Sequence, residues 1–162
     1  MDYLWTPWRF AYIEEVTKGK PPDCLFCDAL VQNRDEETLI VYRGNKAFII
    51  LNRFPYTSGH VMLVPYQHVP DLAGCDPEAL GEIMFFSQRL DAIFRKEYKP
   101  DGANLGMNLG RAAGAGVAGH IHLHMLPRWF GDTNFMTVAG ETRVHPEELR
   151  TTYKRLRAAF SA

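Results

Sequence analysis

The stretch Gly119-His120-Ile121-His122-Leu123-His124-Met125-Leu126-Pro127-Arg128-Trp129 carries three of the chain's six histidines, on alternate residues. Strict alternation with Ile121, Leu123 and Met125 predicts a β-strand. On a strand, residues i, i+2 and i+4 share a face, so the three imidazoles form a row while the apolar partners point into a core. A helix would scatter the same histidines. Packing alone does not explain three in register.

Working outward, Gly110 to Gly119 is a glycine-rich loop, and Ala103 to Leu109 before it reads as a strand. Further upstream, Thr38 to Tyr42 and Ala47 to Leu51 flank a turn at Arg43-Gly44-Asn45-Lys46 as two strands. An irregular connector, Asn52 to Gly59, leads to a strand over His60-Val61-Met62-Leu63-Val64-Pro65. Asp76-Pro77 opens the longest helix, to about Tyr98, with Leu80, Ile83, Met84, Leu90, Ile93 and Phe94 at core-facing spacing. A last helix runs from Pro146 to Phe160 with Leu149, Tyr153, Leu156 and Phe160 on one side. Near the start, Thr6 and Pro7 cap a short aromatic helix, and Cys24-Leu25-Phe26-Cys27 opens another that ends at Asn33. The pattern predicts one α+β domain over 1–162, an antiparallel sheet of about five strands with one long helix and a C-terminal helix.

Composition narrows the function classes. With 162 residues, 46% hydrophobic and 23% charged, the chain can bury a sizeable core. A formal charge of −1 gives no basic field for nucleic acid. No apolar run approaches the roughly 20 residues of a membrane span, and MDYLWTPWRF does not read as a signal peptide. Three cysteines, two of them as Cys24-x-x-Cys27, suit a reducing cytoplasm and a metal site better than a disulfide framework. Cys75 reads as an ordinary thiol.

Three groups carry chemistry. Gly114, Gly116 and Gly119 have the spacing of a dinucleotide-binding fingerprint, but that motif needs a helix after it and here a strand follows. What remains is a loop whose backbone N–H groups can approach an anion closely, or else a plain surface turn. The histidine row admits a metal-dependent hydrolase, although no carboxylate ligand lies in the strand. It also admits nucleophilic attack on phosphorus, since a neutral imidazole needs no prior deprotonation and gives a labile phosphoramidate. Two thiolates across one turn are half of a tetrahedral zinc site, or an ordinary pair of core cysteines.

His120-Ile-His122-Leu-His124-Met-Leu resembles the signature of the histidine triad family, in which three histidines alternate with apolar residues. Asn52-Arg53-Phe54-Pro55, then Gly59-His60-Val-Met-Leu-Val-Pro65 and His68, are similar to that family's nucleotide-binding segment. Leu4-Trp5-Thr6-Pro7-Trp8-Arg9 and the run from Pro127-Arg128-Trp129 to Met136 resemble its branch of diadenosine tetraphosphate phosphorylases and hydrolases. The resemblance implies His122 as nucleophile, His124 at the phosphate or bridging oxygen, and His60 as support. It places Asn52 at the ribose, Phe26 and Ile50 beside the base, and Asn108, Gly114, Ala115 and Gly116 around the phosphates. Trp129 would stack on a base or fill a strand end. Where many members carry Ser or Gln, this chain has Gly116 and Ala118, so phosphate contact relies on backbone.

By the pattern of zinc-bearing bacterial members, Cys24, Cys27, His68 and His120 would hold a structural zinc. The resemblance further implies dinucleoside polyphosphate cleavage through a nucleotidyl-histidine with water or phosphate as acceptor, magnesium accompanying the nucleotide, a cytoplasmic location, and a homodimer joined by its histidine strands and long helices. A phosphoramidate or adenylated-amine hydrolase and a non-catalytic zinc-stapled nucleotide binder are the alternatives.

Overall fold

A computed structural model describes residues 24–133 and 147–161. The expected N-terminal helix at Thr6-Pro7, the run Asn134 to Met136, and Pro146 lie outside the described residues. The described elements are α1 (Leu25–Gln32), α2 (Asp35–Thr38), β1 (Ile40–Arg43), β2 (Ala47–Leu51), β3 (Val61–Pro65), α3 (Pro77–Glu97), β4 (Gly102–Met107), a 3-10 turn (Arg111–Ala113), β5 (Leu123–Arg128) and α4 (Leu149–Ser161). The strands form one five-stranded sheet in the order β1-β2-β3-β5-β4, with every neighbouring pair antiparallel. A short β1–β2 hairpin, a longer connector to β3 and a helical crossover before β4 give the α+β arrangement expected from the sequence.

Two details of that expectation change. The first strand begins at Ile40, because Asp35–Thr38 closes a helical turn in which the Thr38 hydroxyl donates to the Arg34 carbonyl at 3.0 Å. In α3 the buried stripe is Ala79, Ile83, Phe86, Ser87, Leu90 and Phe94. Met84, expected in the core, is 55% exposed: at 100° per residue it falls off the stripe that Ile83 and Phe86 define. Asp76 caps this helix by accepting from the Glu78 amide at 3.0 Å, and Pro77 occupies the first turn. The final helix holds Tyr153, Leu156 and Phe160 buried, as its spacing predicts.

The β1–β2 turn is fastened to α3 by one carboxylate. Glu82 accepts from the amides of Asn45, Lys46 and Ala47 at 3.0, 2.6 and 2.8 Å. Gly44 is required there, since a Cβ would meet the Phe86 ring and stand 2.9 Å from the Ala47 carbonyl. β2 and β3 are buried along their whole length. Their residues pack with Phe26, Ile83, Leu90, Phe94, Leu123, Met125 and Leu156 into the main core.

The histidine strand is inside the sheet, between β3 and β4. Both edges of β5 are taken within this sheet. The outer edge on that side is β4, whose Leu105 is 46% exposed. No helix among the described residues is long and apolar enough to cross a membrane.

Candidate active site and metal centre

Sheet hydrogen bonding along the histidine stretch starts at Leu123, so His120 and His122 lie just before β5. The Ile121 amide donates to the Val69 carbonyl at 2.8 Å, and the His120 amide closes a turn onto the Val117 carbonyl at 3.3 Å. The apolar partners of the row are buried all the same. Leu123 and Met125 join the main core, and Ile121 packs in a smaller cluster with Cys75 and Ala79. The histidine side is also covered: His120 is 0%, His122 4% and His60 1% exposed.

Proton positions follow from the fixed partners. His122 Nδ1 lies 2.9 Å from the His120 carbonyl oxygen, which can only accept. The proton therefore sits on Nδ1, and His122 Nε2 keeps its lone pair. Burial pushes the His122 pKa below its ordinary value, with the His120 carbonyl opposing in part, so the ring is neutral at pH 7. His60 Nδ1 accepts from the Tyr56 amide at 3.1 Å, with Asn52 Nδ2 at 3.3 Å. Neutral His60 then carries its proton on Nε2 and donates to His124 Nδ1 at 2.9 Å. That leaves His124 with a proton on Nε2. One imidazole presents a lone pair and its neighbour, 4.8 Å away between ring centroids, presents an N–H.

Gly59 makes this alignment possible. It adopts φ +84°, where side chains are strained, and a Cβ would stand 3.0 Å from Pro127 of β5. The Thr57 hydroxyl donates to the Pro127 carbonyl at 3.0 Å, tying the connector to the same strand.

The cavity beside these groups has a volume of about 840 Å³. His124, Tyr56, Asn108, Trp129 and Arg128 are among its lining residues, while His122 lies beneath the wall next to His124. Trp129 donates from Nε1 to the Tyr98 carbonyl at 3.4 Å and shows the rest of its ring to the cavity. Arg128 grips Asp132 through two nitrogens at 2.6 and 2.7 Å, which lowers the Asp132 pKa to about 2. Among the described lining residues the one arginine is thus paired with a carboxylate.

Asn108 lines the cavity with no partner for its carboxamide among the described residues. In the glycine loop, the Gly114 and Ala115 amides already donate to Arg111 and Gly110 carbonyls at 3.0 and 3.3 Å. The amides of Gly116 and Val117 make no hydrogen bond among the described residues. Of the three positions expected around the phosphates, Gly116 is the one whose amide is free among the described residues. Asn52 is engaged at both ends of its carboxamide, accepting from the Phe54 amide at 2.9 Å and reaching His60. Phe26 and Ile50, expected beside a base, are buried at 0% and 2% exposure, as is His122 at 4%, and the Phe26 ring lies 5.0 Å from the His122 ring. Tyr56 was missed: its ring stands 4.7 Å from His60 and 6.2 Å from His124. A tyrosine in a proline-containing connector carries no signal of that role.

Cys24, Cys27, His68 and His120 converge, with their four ligand atoms all within 4.8 Å of one another. His120 Nδ1 is 3.3 Å from Cys24 Sγ and 3.7 Å from Cys27 Sγ, and His68 Nδ1 is 3.3 Å from Cys27 Sγ. A tetrahedral zinc with S and N ligands at standard bond lengths requires S···N edges of about 3.6 Å, so the donor set fits. His120 Nε2 donates to the Pro65 carbonyl at 2.9 Å, which leaves Nδ1 as the metal-facing lone pair.

The match to known proteins follows these features. A family model described as the HIT domain covers residues 33–131. The chain belongs to the histidine triad family. This HIT chain is 39% identical over 161 residues to an AP-4-A phosphorylase of Mycobacterium tuberculosis, covering 96% of this chain and 83% of that one. Its fold matches a Zn-bound histidine triad family protein from Mycobacterium smegmatis with TM-score 0.69 at 30% identity, over 85% of this chain and 93% of the other. A hypothetical histidine triad nucleotide-binding protein from Sulfolobus tokodaii matches with TM-score 0.67 at 27% identity, over 85% and 92% of the two chains.

The buried histidines give this HIT site a pH signature. Burial, then the neighbouring His122 charge, lowers the His124 pKa to about 4, against about 6.5 in an unfolded chain. As pH falls, the unfolded state takes up that proton first. The His124 contribution is complete above pH 6.5, is lost progressively as pH falls from 6.5 to about 4, and changes no further below that. Denaturant midpoints measured across this range should fall less steeply in His124→Gln than in the parent protein. Equal slopes would contradict the assignment.

Proposed function

We propose that this protein cleaves dinucleoside polyphosphates at an α-phosphorus by nucleotidyl transfer through His122, with inorganic phosphate as the second-step acceptor. The observation that carries the reading is the tautomer pair: a lone pair on His122 Nε2 beside an N–H on His124 Nε2. His122 attacks phosphorus, the bond to the bridging oxygen breaks, and the departing nucleotide takes that electron pair. His124 donates its N–H to the bridging or phosphoryl oxygen, and the relay from Tyr56 and Asn52 through His60 keeps the proton there. As positive charge develops on the His122 ring, the His120 carbonyl stabilises it through Nδ1–H. Phosphate oxygen then displaces His122 from phosphorus. Splitting one displacement into two is the rationale for the covalent carrier.

The substrate lies along the cavity. Asn108 and the Gly116 and Val117 amides hold phosphate oxygens, Trp129 stacks on a base, and Asn52 lies at the ribose edge. A polyphosphate bridge carries one negative charge per phosphate, and the one arginine among the described lining residues is already paired with Asp132. Magnesium therefore enters with the substrate. Cys24, Cys27, His68 and His120 hold zinc, which supplies a structural tie between α1 and the sheet and, with four protein ligands, no open position. Two copies associate through the β4 edge and the exposed Met84 and Phe85 of α3.

Support for phosphate as acceptor is the 39% identity to an AP-4-A phosphorylase across 96% of the chain. The test is product analysis of diadenosine tetraphosphate turnover. With phosphate, ATP and ADP should form together; without it, turnover should nearly stop. ATP with AMP in the presence of phosphate would make water the acceptor. Turnover restricted to adenylated amines would favour the phosphoramidate alternative.

A further inference from the structure

α1 is more than the carrier of two thiols. Cys24 is its N-cap residue and Cys27 lies in its first turn, where the Asp28 amide closes onto the Cys24 carbonyl at 3.0 Å. The two metal-site cysteines therefore bracket Phe26 within a single turn. Phe26 is fully buried, and its ring meets two histidines of the row: His120 at 5.3 Å edge-on and His122 at 5.0 Å with a 53° tilt. His120 is itself the fourth member of the cysteine–histidine cluster, and its carbonyl is the acceptor that orients His122.

Two short paths thus run from the metal cluster to the His122 ring. One passes through the His120 backbone, the other through the Phe26 ring. We propose that Phe26 is a positioning residue that couples metal binding by Cys24, Cys27, His68 and His120 to the orientation of the His122 imidazole. The inference rests on His122 being the nucleophile. A close-packed aromatic wall permits little rotation of an imidazole whose other constraints are one hydrogen bond and the edge-on His124 ring. With the metal bound, Cys24 and Cys27 are fixed and Phe26 with them. Without it, the first turn of α1 keeps its packing and the Asp28–Cys24 backbone hydrogen bond but loses its tie to His68 and His120, and the wall behind His122 loosens. A bystander core phenylalanine, or one that stacks on a substrate base, would not behave this way.

The test uses Phe26→Leu, with Phe26→Met as a bulkier replacement should Leu compromise folding. Ring-current shifts of the His122 ring protons are read by NMR in zinc-loaded and zinc-stripped wild-type and variant protein, with folding followed by circular dichroism. Zinc removal should move the His122 resonances in wild type and much less in Phe26→Leu measured in the same two states, and kcat of the zinc-loaded variant should fall roughly 10–100-fold with KM little changed, the scale of a misplaced reacting group. His122 resonances that stay unmoved on zinc removal from folded protein would overturn the coupling. A raised KM with unchanged kcat would overturn it too, by making Phe26 a base contact. Were wild type to form no nucleotidyl-histidine, the nucleophile assignment alone would fall, since the NMR comparison reads the free protein.

Discussion

Replacing His122 with Asn should lower turnover of diadenosine tetraphosphate by at least about 10³-fold, the scale expected when an enzyme loses its covalent nucleophile. Asn retains a polar head that can donate to the His120 carbonyl, so the local backbone keeps its partner, but it offers phosphorus no nucleophilic lone pair. His122 is 4% exposed and touches Phe26 and His124, so the smaller side chain also costs packing. Circular dichroism and metal content should nonetheless match the parent, placing the loss in the chemical step. KM should change little beside kcat. Near-normal turnover by a folded His122→Asn protein would remove the nucleophile and leave the row of imidazoles as a binding device.

Disabling the metal cluster should have the largest effect on stability. Cys24→Ala removes one of four ligands, and its position at the start of α1 means that the loss frees a whole turn. Site formation belongs to the folded state alone, so binding free energy appears as folding free energy. A loss of about 4 kcal/mol would lower Tm by roughly 8–16 °C in a chain of this size. Elemental analysis should find one zinc per chain in the parent and markedly less in the variant. Cobalt or cadmium in place of zinc should leave kcat nearly unchanged, since a closed site offers substrate no coordination position. Identical Tm values for parent and Cys24→Ala would contradict a structural metal, and a strong dependence of kcat on the metal's identity would point to a metal-dependent hydrolase.

The sequence was most legible where chemistry and periodicity coincide. Alternation marked Ile121, Leu123 and Met125 as the apolar partners of the histidine row, and all three are buried. The cysteine–histidine cluster was legible through the family pattern alone, since His68 and Cys27 are 41 residues apart and no local spacing relates them. What stayed hidden depends on tertiary placement. Met84 and Phe86 are both apolar residues in one helix, and only the exact phase against the sheet decides that Phe86 is core and Met84 exposed. The proton relay was equally hidden: Tyr56 contributes a backbone amide, which every non-proline residue has, and only the turn at Gly59 aims it at His60.

The most direct measurement is mass spectrometry on protein quenched during turnover of diadenosine tetraphosphate in phosphate-free buffer. The account predicts one added adenylyl group, acid-labile and mapped to His122, and its discharge as ADP when phosphate is supplied. Turnover with His122 unmodified at every time point, or with the group on another residue, would contradict it.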